Sequence, residues 1–389
     1  MVLKTIGWLI QFVIMINLLM PIIFYVFYKF LRTGKRKAPP LSAEADYAII
    51  VTAYEDVTML PAVVNSLLSL HYQRYLIYVV ADNCDISSLH FNSERVILLR
   101  PEKVLAGNVR SHFYAIERFQ RAHDRLTIID SDNLVHPDYL KALDLYFALG
   151  FDSVQGVRMP KNMNTMYAAL DAARDLYYHF YDGKVLFSLG ASATLAGSGM
   201  AFKVALYKQI FSKSDVQGAG FDKVLQYGIL RLNQRIAFAE EAIVWDEKTA
   251  KTDQLVKQRA RWINTWFKYV RYSWKLMLLS VSNWSRNQFL FGLVLMRPPL
   301  FIFLGLALLC FLVNVILQHW WTATAFAVGF LLFVAAFLIA LKEGNADRRI
   351  YVALKAVPNF IFYQLKALLL ARKANKVSVA TKHDYHQKQ

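Results

Sequence analysis

Cysteine is nearly missing from this chain. Of 389 residues only Cys84 and Cys310 carry a thiol, which excludes a disulfide framework and a thiolate zinc site and fits a reducing compartment. Acid is also scarce, with 28 Asp and Glu against 45 Lys and Arg and a formal net charge of +17. Charge is absent altogether from two long stretches, residues 5–28 and 298–341. At 1.5 Å per residue, residues 5–28 form a helix long enough to cross a hydrocarbon core of roughly 30 Å. A cleavable signal peptide would have a shorter apolar part and a small-residue cleavage site, and neither is visible before Lys29.

What is abundant points the same way. Hydrophobic residues make up 56% of the chain, above the roughly 45–50% of a soluble domain, so part of the excess is expected to face lipid. Gln318, His319 and Thr322, with Trp320 and Trp321 between them, divide residues 298–341 into two halves, which predicts a transmembrane hairpin with an aromatic interfacial turn. Lys29, Arg32, Lys35, Arg36 and Lys37 follow the first span, and Lys342, Arg348, Arg349 and Lys355 follow the last, while the hairpin turn has no Lys or Arg. Basic short loops stay cytoplasmic, which puts the N-terminus outside and the central region and C-terminus inside. The positive charge beside the spans matches anionic headgroups, so the expected partner is the lipid bilayer and not nucleic acid.

Between the spans, short apolar runs alternate with amphipathic stretches, the pattern of βαβ units and a mainly parallel sheet. Residues 47–53, 76–81, 95–99, 126–129, 197–202 and 236–245 read as strands, and residues 60–70, 109–121, 137–149, 221–232 and 252–272 as helices. Residues 263–279 and 350–370 are amphipathic without reaching spanning character and are expected at the membrane interface. The expected plan is an N-terminal transmembrane helix (1–31), a basic linker (32–45) and a cytoplasmic α/β domain (46–262). Interfacial helices (263–297), the hairpin (298–341) and an interfacial helix with a basic tail (342–389) follow.

Ligands of open parallel sheets bind beyond the carboxyl ends of the strands. Tyr54 and Glu55, Asp82, and Asp130 with Asp132 lie at three such ends. Asp130-Ser131-Asp132 sets two carboxylates one residue apart on a strand-to-loop turn, suited to a hard divalent cation bridging phosphate oxygens, although the same acids would also serve as a solvated helix cap. Gln258-Arg259-Ala260-Arg261-Trp262 puts positions 258, 261 and 262 on one helical face, where an arginine fork can clamp a diphosphate and a tryptophan can carry a sugar ring. A plain basic amphipathic helix would show the same pattern. Asp222, after Gly220-Phe221, is placed either to cap a helix or to take a proton from an acceptor hydroxyl. Glu240 and Glu241 read as exposed charges flanking a strand.

Taken in order, Val51-Thr52-Ala53-Tyr54-Glu55-Asp56, Ala81-Asp82-Asn83, Asp130-Ser131-Asp132, Gly197-Ser198-Gly199, Phe221-Asp222 and Gln258-Arg259-Ala260-Arg261-Trp262 resemble the family-2 glycosyltransferases. More narrowly they are similar to the membrane branch that includes cellulose, chitin and hyaluronan synthases and ceramide glucosyltransferases. The resemblance implies a GT-A (Rossmann-like) α/β domain with a mainly parallel sheet, flanked by transmembrane and interfacial helices. It implies that Tyr54, Glu55 and Asp82 hold base and ribose, and that Asp130 and Asp132 engage the sugar diphosphate with Mg2+ or Mn2+, Asp132 being the direct ligand. It further implies an acceptor loop at Gly197, Ser198 and Gly199, Asp222 as base, Gln258 and Arg261 as diphosphate clamp, and Trp262 as acceptor platform. Two departures stand out. Phe221 replaces the first acid of the usual Glu-Asp pair, and Ala106-Gly107-Asn108-Val109-Arg110 replaces a Lys-Gly, with Arg110 the substitute for the lysine.

The expected activity is inverting transfer from a nucleotide-sugar, UDP-linked, to a growing polysaccharide at the cytoplasmic side of the plasma (inner) membrane by an integral, multi-pass protein. The alternatives are single transfer to a lipid or lipid-linked acceptor and a catalytically silent, nucleotide-sugar-binding subunit. A transporter is disfavoured because the spans lack buried ionisable residues and broken helices.

Overall fold

The computed structural model describes residues 2–31, 44–212, 216 and 218–373. Most of the basic linker, with Arg32, Lys35, Arg36 and Lys37, and the tail from residue 374 onward lie outside the described residues.

The chain opens with helix α1 (Val2–Phe30) and then enters a run of alternating strands and helices: β1 (Tyr47–Tyr54), α2 (Leu60–Leu68), β2 (Tyr75–Asp82), β3 (Val96–Leu99), α3 (Asn108–Ile116), β4 (Arg125–Asp130), β5 (Leu134–Val135) and α4 (Tyr139–Ala148). There follow β6 (Ser153–Pro160), α5 (Met166–Tyr178), a π-helical stretch (His179–Val185), α6 (Leu186–Ser188), β7 (Met200–Lys203), α7 (Val204–Phe211), α8 (Phe221–Arg231) and β8 (Ile236–Asp246). The remainder is helical: α9 (Thr252–Tyr269), α10 (Arg271–Ser282), α11 (Arg286–Met296), α12 (Leu300–Ile316), α13 (Trp320–Glu343), α14 (Arg348–Ala353) and α15 (Val357–Leu370).

The eight strands form one curled sheet in the order β3-β2-β1-β4-β7-β6-β8-β5. The pairs β2/β3, β1/β2, β1/β4 and β6/β8 are parallel, while β7 runs antiparallel to both β4 and β6 and β5 antiparallel to β8. Every residue of β2 is buried, as a parallel strand covered on both faces requires. The register pairs Tyr54 with Asp82 and Thr52 with Asp130, so the ends of β2, β1 and β4 share one edge.

Helices α2 and α4 cover one face through Leu60, Val64, Leu67, Leu140 and Leu143. On the other face a single cluster joins Ile50, Tyr78, Ile128 and Met200 of the sheet to Leu18 and Phe24 of α1, Phe303 of α12 and Ala336 of α13. The sheet and the apolar helices therefore have a common core. Helices α1 and α13 lie side by side in the same direction: Trp8 stacks on His319 at one end, and Lys29 pairs with Glu343 at 3.1 Å at the other.

Two helices, over Lys4–Phe30 and Trp320–Glu343, are long and apolar enough to cross a membrane. The first half of the expected hairpin differs from the sequence reading. Helix α12 has 17 residues and reaches spanning length only together with α11, from which it is bent by 75°. Pro298 and Pro299 lie at the break, where neither can donate the backbone hydrogen bonds that would continue α11. The boundary expected after Trp262 falls inside α9, which runs on to Tyr269. β6 and α5 were not expected. Gly156, Arg158 and Pro160 hide the strand pattern of β6, and the buried Asp171 and Asp175 interrupt the apolar face of α5.

His112 of α3 is fully buried and shares a hydrogen bond of 2.7 Å with the Tyr207 hydroxyl of α7. Burial pushes its imidazole down to about 3 from 6.5. The unfolded chain therefore binds a proton that the folded chain refuses, and stability falls as pH drops below 6.5. This single group removes about 2 kcal/mol at pH 5. The thermal midpoint should be lower at pH 5 than at pH 7.5, and the difference should shrink in His112→Phe; an unchanged difference would assign the acid sensitivity elsewhere.

Candidate active site

The carboxyl edge of β1 and β2 carries the first cluster. Glu55 follows β1 with a φ of +60°, and its backbone N–H donates to the Asp82 carbonyl at 3.2 Å. Its carboxylate accepts from Asn83 Nδ2 at 3.2 Å. Asp82 is buried, and its two carboxylate oxygens accept the N–H groups of Leu105 and Ala106 at 2.9 and 2.7 Å. Asp82 thereby pins the loop entering α3. Arg110 donates to the Leu105 carbonyl of the same loop at 3.1 Å. Tyr54, Glu55, Asp82 and Arg110 thus come together.

The second cluster is the turn after β4. Ser198 is buried, and its hydroxyl accepts from the Asp130 N–H at 3.0 Å and from Asn133 Nδ2 at 2.7 Å. The Gly199 N–H donates to the Ile128 carbonyl at 2.9 Å. Gly197 and Gly199 have φ of +89° and +66°, and a Cβ on Gly199 would come within 3.0 Å of Val244. The segment 197–199 therefore works as a brace for the Asp130-to-Asn133 turn, with Gly197 at its open side. Asp132 is 8% exposed, and Lys161 Nζ donates to its carbonyl at 3.1 Å.

Asp130 and Gly197 open onto a cavity of about 1120 Å³ that also takes in Asp222, Gln258 and Trp262. Asp222 sits in the first turn of α8 with Lys223 Nζ 3.1 Å from its carboxylate. Gly220 before it has a φ of +100°, and a Cβ there would strike Tyr269 at 2.5 Å and Thr265 at 2.7 Å, so the glycine lets α8 begin directly against α9. Tyr54, Glu55, Asp82, Arg110, Asp132, Ser198, Gly199 and Arg261 do not line this cavity.

On α9, Gln258 and Trp262 of the face expected from the sequence line the cavity, but the guanidinium that joins them is Arg259, two residues before Arg261. Arg259 and Arg174 stand over the Trp262 ring at 4.1 and 4.2 Å. Arg259 pairs with Asp171, and Arg174 reaches Asp171 at 3.2 Å and also pairs with Asp175. Lys248 bridges Asp175 and Asp246, the latter at 2.6 Å, and Asp246 pairs with Arg158. Burial and the neighbouring Arg174 pull the Arg259 guanidinium down to about 10, against the opposing effect of Asp171. Burial alone would raise Asp171, but Arg259 and Arg174 hold its carboxyl below the usual range. Burial likewise lowers the Arg261 guanidinium.

Arg158, Arg174, Asp175 and His179 line the cavity without having been singled out from the sequence. The available signal was Asp171, Arg174 and Asp175 at i, i+3 and i+4 in an otherwise apolar stretch. Among the described residues, no three His, Cys, Asp or Glu gather into a metal cluster.

Removing Asp171 leaves two buried guanidiniums undercompensated. Asp171→Ala should cost about 3–5 kcal/mol in urea denaturation of the detergent-solubilised protein. A loss under about 1 kcal/mol, the size typical of an exposed pair, would show that water reaches the network.

Residues 44–265 match the family described as glycosyltransferase like family 2. Mannosyltransferase PcManGT from Pyrobaculum calidifontis, solved in complex with GDP-Man and Mn2+, aligns over 93% of this chain and 98% of its own at 13% identity, with a TM-score of 0.56. TarS 1–349 of S. aureus aligns over 84% and 89% at 15% identity with a TM-score of 0.43. Glucosyl-3-phosphoglycerate synthase from Mycobacterium tuberculosis, solved with Mn2+, uridine diphosphate and phosphoglyceric acid, aligns over 57% and 77% at 15% identity with a TM-score of 0.39. No curated protein matches the sequence. The likeness to PcManGT is one of fold.

Proposed function

The chain belongs to glycosyltransferase family 2, and from that membership we propose that it moves one sugar, with inversion, from a nucleotide-sugar to a lipid or lipid-linked acceptor at the cytoplasmic face of the plasma (inner) membrane. Its fold is the GT-A fold and it is a glycosyltransferase. The cavity supports the acceptor: it runs without a break from Asp130 and Asp222 to Leu308, Phe330 and Val334 on the apolar helices α12 and α13. A growing polysaccharide, the other acceptor suggested by the resemblance, needs a polar channel, and these walls are aliphatic and aromatic. The orientation rests on Lys342, Arg348, Arg349 and Lys355 at the end of α13 that also carries the Lys29–Glu343 pair.

Tyr54, Glu55 and Asp82 take the base and ribose, with Arg110 holding the loop above them. Asp130 and Asp132 offer hard carboxylate oxygens, which suit Mg2+ or Mn2+ provided that a diphosphate completes the coordination shell. Such an ion, when bound, supplies charge neutralisation at the diphosphate. Gln258 and the cavity-facing Arg259, in place of the Arg261 expected from the sequence, flank the diphosphate, and the guanidiniums of Arg158 and Arg174 raise the local positive potential in which its charge develops. Trp262, with the Arg174 and Arg259 guanidiniums over its ring, carries the acceptor on its edge, and Gly197, with the loop that Ser198 and Gly199 brace, leaves room for it. Asp222 accepts the proton of the attacking hydroxyl.

In lipid nanodiscs with Mn2+, membrane lipid extract and radiolabelled nucleotide-sugars, the wild type should yield a lipid-extractable labelled band. Asp222→Asn should lower its rate by about 10²–10⁴-fold. Equal rates would move the base elsewhere, and a high-molecular-weight product would restore the polysaccharide. Asp132→Ala should abolish metal-dependent donor binding in calorimetry; unchanged affinity would remove the metal from that residue.

A further inference from the structure

The turn after β4 crosses the sheet. It leaves β4 in the middle of the strand order and enters β5 at the edge, with β7, β6 and β8 between them. In a flat sheet those four spacings would amount to about 19 Å, whereas the chain from Asp130 to Leu134 reaches about 14 Å at full stretch. The turn is in fact closed by a hydrogen bond of 3.1 Å from the Asn133 N–H to the Asp130 carbonyl, so the sheet curls until the ends of β4 and β5 meet. In a turn closed between its first and fourth residues, the carbonyl of the third is left over. Asp132 is that residue, and it is buried.

Lys161 Nζ takes up this carbonyl at 3.1 Å. The lysine follows β6, its side chain is 2% exposed, and Nζ stands 3.9 Å from the Glu247 carboxylate. Its own N–H donates to the Asp246 carbonyl at 2.7 Å, and the next residue, Asn162, exchanges hydrogen bonds of 3.0 and 2.6 Å with the backbone of Lys248. Lys161 is therefore anchored to the end of β8 before it reaches the turn. Three residues earlier, Arg158 donates to the Ala196 carbonyl at 2.6 Å, beside Gly197. The end of β6 thus reaches both the turn and the loop that braces it. Ser198 fixes the two ends of the turn, through the Asp130 N–H and the Asn133 side chain, and Lys161 fixes its middle. A buried ammonium carries a desolvation cost that an apolar side chain of the same length would not, so packing alone does not explain it.

We infer that Lys161 is a positioning residue of donor binding: its ammonium holds the peptide after Asp132 in the orientation that presents the Asp132 carboxylate to a divalent cation carrying a nucleoside diphosphate. This rests on Asp132 as the metal ligand of the proposed function. Without the ammonium a buried carbonyl loses its donor, the peptide turns to find another, and the carboxylate on the same residue moves with it. Lys161 does not line the cavity that takes the acceptor, so its effect falls on the donor.

The test titrates UDP, and in parallel GDP, into the full chain in phosphatidylcholine nanodiscs by calorimetry, once with Mn2+ and once with EDTA. Lys161→Met, which keeps the reach of the side chain and removes its donor, should bind the preferred nucleotide about 10-fold more weakly with Mn2+, the size of one buried hydrogen bond to a charged group, and with unchanged affinity in EDTA. Lys161→Arg, which keeps a charged donor, should bind more tightly than Lys161→Met when Mn2+ is present. In the transfer assay with membrane lipid extract, Lys161→Met should raise the donor KM and leave the acceptor KM as it is. A loss of equal size with Mn2+ and with EDTA overturns the inference, because it makes Lys161 a packing residue, and equal affinities of the Met and Arg variants overturn it as well. If Asp132→Ala loses metal-dependent binding while Lys161→Met keeps it, this inference falls alone. If Asp132→Ala keeps it, the metal assignment of the proposed function falls too.

Discussion

The π-helical stretch His179–Val185 is the joint on which the arrangement depends. An i to i+5 turn is rare, and it rotates successive side chains by an amount an α-helix does not allow. Here four consecutive residues reach three different bodies. Tyr181 donates to the Ala336 carbonyl of α13 at 2.9 Å, and Asp182 pairs with Arg297 at the bend between α11 and α12. Gly183 lies so close to Phe238 of β8 that a Cβ would sit 2.5 Å from the ring, and Lys184 pairs with Glu240 at 2.7 Å. Sheet, bent helix pair and long apolar helix are thus keyed to Tyr181, Asp182, Gly183 and Lys184.

The charged network beneath Trp262 depends on that joint, because α5 runs straight into it. Asp171, Arg174 and Asp175 sit on α5, their partners on α9 and on the segment after β8. Buried ion pairs are poor sources of net stability, since desolvation consumes most of the Coulomb gain. Their geometric consequence is larger. Two guanidiniums fixed at about van der Waals distance from one indole hold Trp262 in a single orientation.

Much of this was legible in the sequence where the periodicity was clean. β1, β2, β4 and β8 and helices α2, α4, α8 and α9 follow apolar runs or amphipathic patterns, and the acids at their ends follow from parallel topology. β6 and α5 were not legible, because their polar residues are buried against partners distant in sequence, Arg158 against Asp246 and Asp171 against Arg259, and a pattern rule assigns buried charge to the surface. Ser198 was placed near an acceptor by resemblance, while its hydroxyl is spent on the Asp130 turn, a contact between residues 68 positions apart that no local reading supplies. The same limit applies to α9, where Gln258 and Trp262 face the cavity with Arg259 and not with Arg261.

Donor and acceptor are consequently governed by different parts of the chain. The groups assigned to the base, the ribose and the metal lie on the edge of β1, β2 and β4, which the sheet register fixes, and only the diphosphate contacts come from α9. The groups around the proposed acceptor lie on α8, the π stretch and the apolar helices, which share one core with α1 and α13, and on α9, which packs on α12 and α15. Asp130 and Gly197 are where the two meet. A change in the walls of α12 or α13 therefore alters which acceptor fits without touching the register that sets the donor, whereas a change in the π stretch moves the acceptor site, the bent pair and β8 together.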